Sequence, residues 1–173
     1  MAELEDIAAC IKDGRTPRPH GPYLIAIGDE KLDFQGVQLE DPVPTGRQIL
    51  MAADARPVDE HIVFQVLRDG GLEELRLEET TDLREGMVER FLVFKSTESF
   101  RIEIDNRRLE WGAYAISGRV LKRLAGVPES YGVWLEMRGE EDLPIHDNQL
   151  VPLDGKGLER FFTGPDQTTE GTV

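Results

Sequence analysis

Four segments recur in the same order along this 173-residue chain, and that repeat constrains the fold more than any other feature. Tyr23–Phe34 lines up with Phe100–Trp111. Each copy reads as an alternating strand, a polar turn and a second short strand ending on an aromatic residue, the pattern of a β-hairpin. Thr45-Gly46-Arg47-Gln48-Ile49-Leu50 then matches Ser117-Gly118-Arg119-Val120-Leu121-Lys122. The hydroxyls of Thr45 and Ser117 can accept the free amides of a helix's first turn. The first helix offers Ile49, Leu50 and Ala53 to a core, and the second offers Val120, Leu121, Leu124 and Ala125. Pro57 and Pro128 follow, each a residue that a helix interior excludes. The third match sets Ile62–Arg68 against Gly132–Arg138, strand-like segments that run into Gly70 and Gly139. The fourth sets Glu89-Arg90-Phe91-Leu92 against Glu159-Arg160-Phe161-Phe162, at the same 70-residue offset as the third. The offset differs earlier, which predicts a longer loop, Gln35 to Pro44, in the first copy.

Each unit thus reads strand, strand, helix, strand, short strand, strand in roughly 65 to 75 residues, enough for one small core. With the helix on one face of a mixed sheet, this order predicts an α+β protein of two tandem β-grasp domains. The expected bounds are a flexible leader over 1–21, a first domain over 22–95, a short linker at 95–99, a second domain over 99–163 and a flexible tail over 164–173. The leader is rich in breakers at Pro17, Pro19 and Gly21, with a helical turn expected near Ile7-Ala8-Ala9. The tail is small and polar.

Composition narrows the partners. Thirty-four acidic residues against twenty basic ones give a formal charge of −14. Such a surface repels phosphate backbones and anionic lipid and favours basic protein surfaces, so neither nucleic acid nor membrane is expected as a partner. The single cysteine, Cys10, excludes an internal disulfide and leaves no thiol cluster for a metal. No apolar run suits a signal peptide or a membrane span, and a cytoplasmic location is expected.

The repeats resemble the multiubiquitin family of bacterial ubiquitin-like proteins. The residues that carry the likeness are the hairpin Phe100–Trp111, Ser117-Gly118-Arg119, Leu135-Glu136-Met137-Arg138-Gly139 and Gly157-Leu158-Glu159-Arg160-Phe161-Phe162-Thr163. The first copy echoes them in Thr45-Gly46-Arg47, Asp82-Leu83-Arg84 and Glu89-Arg90-Phe91-Leu92. The two-domain form is similar in layout to the modifiers of bacterial anti-phage conjugation operons, which implies a role in antiviral defence. The resemblance implies a protein modifier whose glycine after the last strand is exposed by proteolysis, adenylated, passed to a thiol and joined to a target amine. It also implies the partners: a ubiquitin-type activating enzyme that uses ATP, a conjugating enzyme, a JAMM-type metalloprotease and a protein target. The modifier itself would need no cofactor and would not be an enzyme. Where ubiquitin ends in two glycines, this chain has one, Gly164, in peptide linkage to Pro165 and followed by nine residues in all. Gly164 is therefore the expected processing and conjugation residue, with Arg160, Phe162 and Thr163 as tail and enzyme-docking candidates. The first copy continues Phe94-Lys95-Ser96 with no glycine, so only the second is expected to be conjugated.

Gly70-Gly71, the chain's only diglycine, lies between two strand-like segments and reads as a hairpin turn. Cys10 lacks a local histidine to activate it and reads as an idle thiol in the leader. His20, His61 and His146 have no metal-ligand spacing, and no metal site is expected. Glu73-Glu74 and Glu140-Glu141-Asp142 read as solvated turn charge. Phe64, Trp134 and Glu136 lie on the third strands and are surface-recognition candidates, with a core or interdomain position for the aromatics left open by the one-residue ambiguity of face. A non-conjugated β-grasp binding or assembly module is the alternative to a modifier.

Overall fold

In the computed structural model, which describes residues 3–85, 88–153 and 157–165, the chain divides into two units after Glu98. The first contains β1 (Glu5–Asp6), α1 (Ile7–Asp13), β2 (Tyr23–Gly28), β3 (Phe34–Leu39), α2 (Gly46–Ala52), β4 (Ile62–Val66), β5 (Leu72–Leu75) and β6 (Arg90–Phe94). Alternation along β2 sends Tyr23, Ile25 and Ile27 to one face, where Ile49 and Leu50 of α2 meet them together with Val63, Leu75 and Phe91. The sheet runs β3-β2-β6-β4-β5, with β1 also paired to β2; the central pair β2–β6 and the pair β1–β2 are parallel and the other neighbours antiparallel. The hairpin register corrects the predicted loop: β3 extends to Leu39, opposite Tyr23, so Gln35–Leu39 is strand. The left-handed turn residue is Leu32, at φ 60°.

The second unit contains β7 (Phe100–Ile104), β8 (Arg107–Trp111), β9 (Ala115–Ser117), α3 (Gly118–Ala125), β10 (Tyr131–Leu135), β11 (Leu143–Ile145), β12 (Leu150–Pro152) and β13 (Glu159–Pro165). Its sheet runs β8-β7-β13-β10-β11, again with the central pair parallel, while β9 and β12 form a separate two-stranded ladder. Val120 and Leu121 of α3 are buried, as are Ile102, Ile104, Val133 and Phe161. Both units are therefore α+β, a helix over a mixed sheet, in the same strand order.

The Thr/Ser-Gly-Arg motif explains the common register. Thr45 Oγ accepts the Gln48 amide at 3.1 Å and Gln48 Oε1 accepts the Thr45 amide at 2.7 Å; Ser117 Oγ accepts the Val120 amide at 3.2 Å. The next two amides turn to the connection that follows the edge strand. Gly46 and Arg47 donate to the carbonyls of Glu79 and Leu77, and Gly118 and Arg119 donate to those of Gln149 and Asp147, the same 70 residues on. Glycine is required because a Cβ at Gly46 would collide with the Arg76 carbonyl, and one at Gly118 with the His146 carbonyl.

Residues 3–20 correct the expectation of a flexible leader. β1 pairs parallel with Tyr23 and Leu24, Asp6 caps α1 through the Ala8 amide at 3.0 Å, and Ile7 and Cys10 are buried. Glu5, itself buried, accepts the Arg15 guanidinium at 3.0 Å and the Arg18 amide at 2.8 Å. Pro17, Pro19 and Gly21 thus shape a return path to β2 rather than a loose end, and Tyr23 Oη donates to the Arg18 carbonyl at 2.7 Å. The expected tail beyond Pro165 lies outside the described residues. Among the described residues no helix is long and apolar enough to cross a membrane.

Two outcomes follow from this packing. Gly46→Ala or Gly118→Ala forces the helix away from the crossing connection and destabilises its unit by about 1–3 kcal/mol, measurable by urea unfolding. The Arg15 side chain, then the Arg18 amide, hold the Glu5 carboxyl below its ordinary 4.5. A depressed carboxylate stabilises the fold above that value and loses its contribution as pH falls through the depressed one. The melting-temperature gap between wild type and Glu5→Gln is therefore full at pH 6 to 7 and closes as pH falls below 4.5.

Candidate functional site

Phe161 points into the core of the second unit, so alternation along β13 places Arg160, Phe162 and Gly164 on the face away from α3. On β10 the buried Val133 and Leu135 likewise leave Gly132 and Trp134 on that face. The ladder sets Trp134 opposite Phe162, and their rings stack at 5.6 Å with 13° between planes. Phe162 remains 36% exposed. One step further along, Arg160 lies 3.8 Å from the Glu136 carboxylate and 3.7 Å from that of Glu103, while the Glu136 amide donates to the Arg160 carbonyl at 2.8 Å. Arg160, Phe162, Trp134 and Glu136 therefore form one exposed surface, a stacked aromatic pair beside a partly compensated cation. Exposed ion pairs of this kind add little stability, so their value lies in what they present.

Gly164 corrects the expectation of a glycine beyond the last strand. It lies within β13, paired with Gly132, and Pro165 pairs with Tyr131. A Cβ built on Gly164 would meet the Trp134 ring at 3.7 Å, an ordinary contact, whereas one on Gly132 would press the same ring at 2.9 Å. Thr163 points to the other side. Its amide donates to Asp105 Oδ1 at 2.8 Å and its hydroxyl to Asp105 Oδ2 at 2.6 Å. Asp105 stands in the β7–β8 turn at φ 50°, and its own amide donates to the Phe161 carbonyl at 3.0 Å. Asp105 and Gly132 are the residues missed from sequence. Laying the repeats over each other could have found them: Gly28 stands at the place of Asp105, Ile62 at that of Gly132 and Val93 at that of Thr163.

Phe64, the counterpart of Trp134, is not on an open surface. It is fully buried, edge-on to Phe94 at 5.7 Å between ring centroids, and the first copy has the equally buried Leu92 and Phe94 where the second has Phe162 and Gly164. Arg90, the counterpart of Arg160, lies 5.4 Å over the Phe34 ring. Gly70 and Gly71 close the β4–β5 hairpin through the Leu67 amide and the Gly71 carbonyl at 2.8 Å. Cys10 is buried, and burial pushes its thiol up, away from the reactive thiolate. His61 Nδ1 contacts the Pro57 carbonyl at 2.7 Å, and His20 and His146 are exposed. Among the described residues no group of three or more acidic, histidine or cysteine side chains is arranged to hold a metal.

The multiubiquitin family model matches this chain twice, over residues 30–96 and 100–166. The curated proteins contain no match. Each match covers one copy of the repeat, and the second includes Gly164.

The difference between the two aromatic positions is measurable. Phe64→Ala opens a cavity in a sealed site and costs about 3–5 kcal/mol in denaturant unfolding. Phe162→Ala removes only a stacked pair, costs about 0.5–1.5 kcal/mol, and alters the near-ultraviolet tryptophan signal through Trp134.

Proposed function

The chain belongs to the multiubiquitin family, and from that premise we propose that it is a tandem ubiquitin-like modifier, two β-grasp domains joined to protein amines through Gly164. The observation that carries this reading is the asymmetry of the repeat. Only the second copy has a glycine at the end of its last strand; the first has Phe94 there, buried. A protein cut into two modifiers would need a glycine in both.

The chain contributes a carboxylate and a surface, and the chemistry resides in its partners. A JAMM-type metalloprotease adds water across the Gly164–Pro165 amide, the proline nitrogen leaving protonated and Gly164 leaving as a carboxylate. The activating enzyme joins that carboxylate to the α-phosphate of ATP with loss of pyrophosphate. A thiolate displaces AMP, and a target amine displaces the thiol to give an amide. Glycine suits each transfer because the tail must lie extended in a narrow channel where a side chain collides. The stacked Trp134 and Phe162, with Arg160 and Glu136, supply a face for docking of these partners. A cytoplasmic bacterial conjugation system acting in antiviral defence is the setting that the family resemblance favours.

A second reading has one observation in its favour. Gly164 is paired within the ladder, as it would be in a non-conjugated binding module where its role is structural.

The tail decides between them. Gly164→Ala keeps the fold, since its added Cβ sits at ordinary contact distance from Trp134, yet it loses transfer to the activating-enzyme thiol. Chain ending at Gly164 is conjugated without the protease, and chain ending at Thr163 is not. Intact mass after incubation with the protease places the cut after Gly164. Conjugation through any other carboxylate, or none under complete reconstitution, removes the modifier reading in favour of the binding module.

A further inference from the structure

We propose that Asp105 and Trp134 form a latch that keeps the end of β13 in the sheet, so that Gly164 becomes available to an enzyme only when residues 163–165 peel away. The consequence for processing rests on the modifier reading; the latch itself rests on geometry. An antiparallel ladder bonds alternate residues, and the Glu136 amide donates to Arg160. In that phase Phe162 and Gly164 direct their amides to β10, and Thr163 directs its amide to the opposite side. There the parallel partner β7 has ended, since its register with β13 stops at Ile104 opposite Phe161. The Asp105 carboxylate takes the place of the missing strand, accepting both the amide and the hydroxyl of Thr163. On the other edge the last internal pair is Gly132 with Gly164. Two glycines provide no cross-strand side-chain contact, and glycine is the residue that loses most freedom on being ordered in a strand. Trp134 compensates from two residues away, its ring lying against both glycines.

The first copy shows what a permanent strand end looks like. Its equivalent pair is Ile62 with Phe94, and Phe94 is buried. The position of Asp105 is Gly28, with no carboxylate, and that of Thr163 is Val93, with no hydroxyl. The second copy has exchanged apolar sealing for two polar bonds and an aromatic cover. Such a strand end is ordered at rest and separable at modest cost, and an enzyme requiring an extended tail acts on the open fraction.

Asp105→Gly is the informative variant, because glycine accepts the φ of 50° at that turn while removing the carboxylate. In the full chain, amide exchange at Thr163 and Gly164, and cleavage between residues 162 and 165 by a broad-specificity protease, rise about tenfold, in keeping with the loss of charge-assisted hydrogen bonds at a strand end. Asp105→Asn, which also tolerates positive φ and keeps one acceptor, falls between. Trp134→Ala, read by exchange alone, accelerates Gly164, and amides of Ile104 and Val133 stay protected in all variants. Exchange of the wild-type Gly164 amide at the rate of an unstructured peptide, or no change in Asp105→Gly, overturns the latch. The partner protease separates the two ideas. If the variants open as described but no conjugation enzyme acts on any of them, the modifier reading falls and the latch stands. If wild type and Asp105→Gly are processed at equal rates under subsaturating protease, processing stands and the latch as its gate falls.

Discussion

Both α2 and α3 begin by donating their second and third free amides to a passing backbone, and the helix-on-sheet core of each unit is arranged around that crossing. The amides of Gly46 and Arg47, and of Gly118 and Arg119, would otherwise be orphaned at a buried helix start. Carbonyls from the connection after the edge strand accept them, which ties the helix N-terminus to the far side of the sheet. Approach that close leaves no space for a Cβ. The constraint therefore selects glycine immediately after the capping hydroxyl, and it fixes the distance along the chain between that connection and the last strand. The constant 70-residue offset of the repeat begins at the third strand and includes the crossing.

From a shared scaffold the two copies diverge on the face opposite the helix. In the first, Phe64, Leu92 and Phe94 are buried, and the strand end carries no group for chemistry. In the second, the same ladder positions hold Trp134, Phe162 and Gly164, all partly exposed. Replacing one aromatic by glycine at the final pair changes a sealed strand end into one held by a carboxylate and an indole. The division of labour is therefore written in a handful of side chains on two strands, with the cores left alike.

Much of this was legible. The hairpins, caps and central strands follow from period-two alternation and from hydroxyl residues before apolar runs, signals that depend only on local chemistry. The leader was not legible, because its order comes from Glu5 meeting Arg15 and Arg18 across a helix and from Ile7 meeting a core built by later residues. The start of β3 was misplaced because its polar residues, Gln35 and Gln38, stand on an edge strand that burial barely patterns. Phe64 and Trp134 carry the same local sequence signal. Their partners on the last strand differ, Leu92 with Phe94 or Phe162 with Gly164, and the local sequence around each aromatic does not tell which is covered. Asp105 read as a turn residue and is one, but its carboxylate acts on a residue 58 positions away.

On the proposed reading, a modifier tail faces opposed demands, and the geometry at Gly164 suits both. To be handled in narrow channels the residue must be bare and the segment extended, which makes it a weak member of any sheet. Left loose beside an exposed aromatic pair, the same segment would offer an unpaired strand end to any neighbouring chain. Pairing with Gly132 satisfies the backbone without adding side-chain contact that would have to be undone at each transfer. In the proposed latch, the Asp105 contacts to Thr163 and the cover of Trp134 set how often the end opens, and both can be tuned by substitution without touching Gly164. Holding the proposed conjugation residue by its neighbours, rather than by its own side chain, is the arrangement left open to a glycine, which has none.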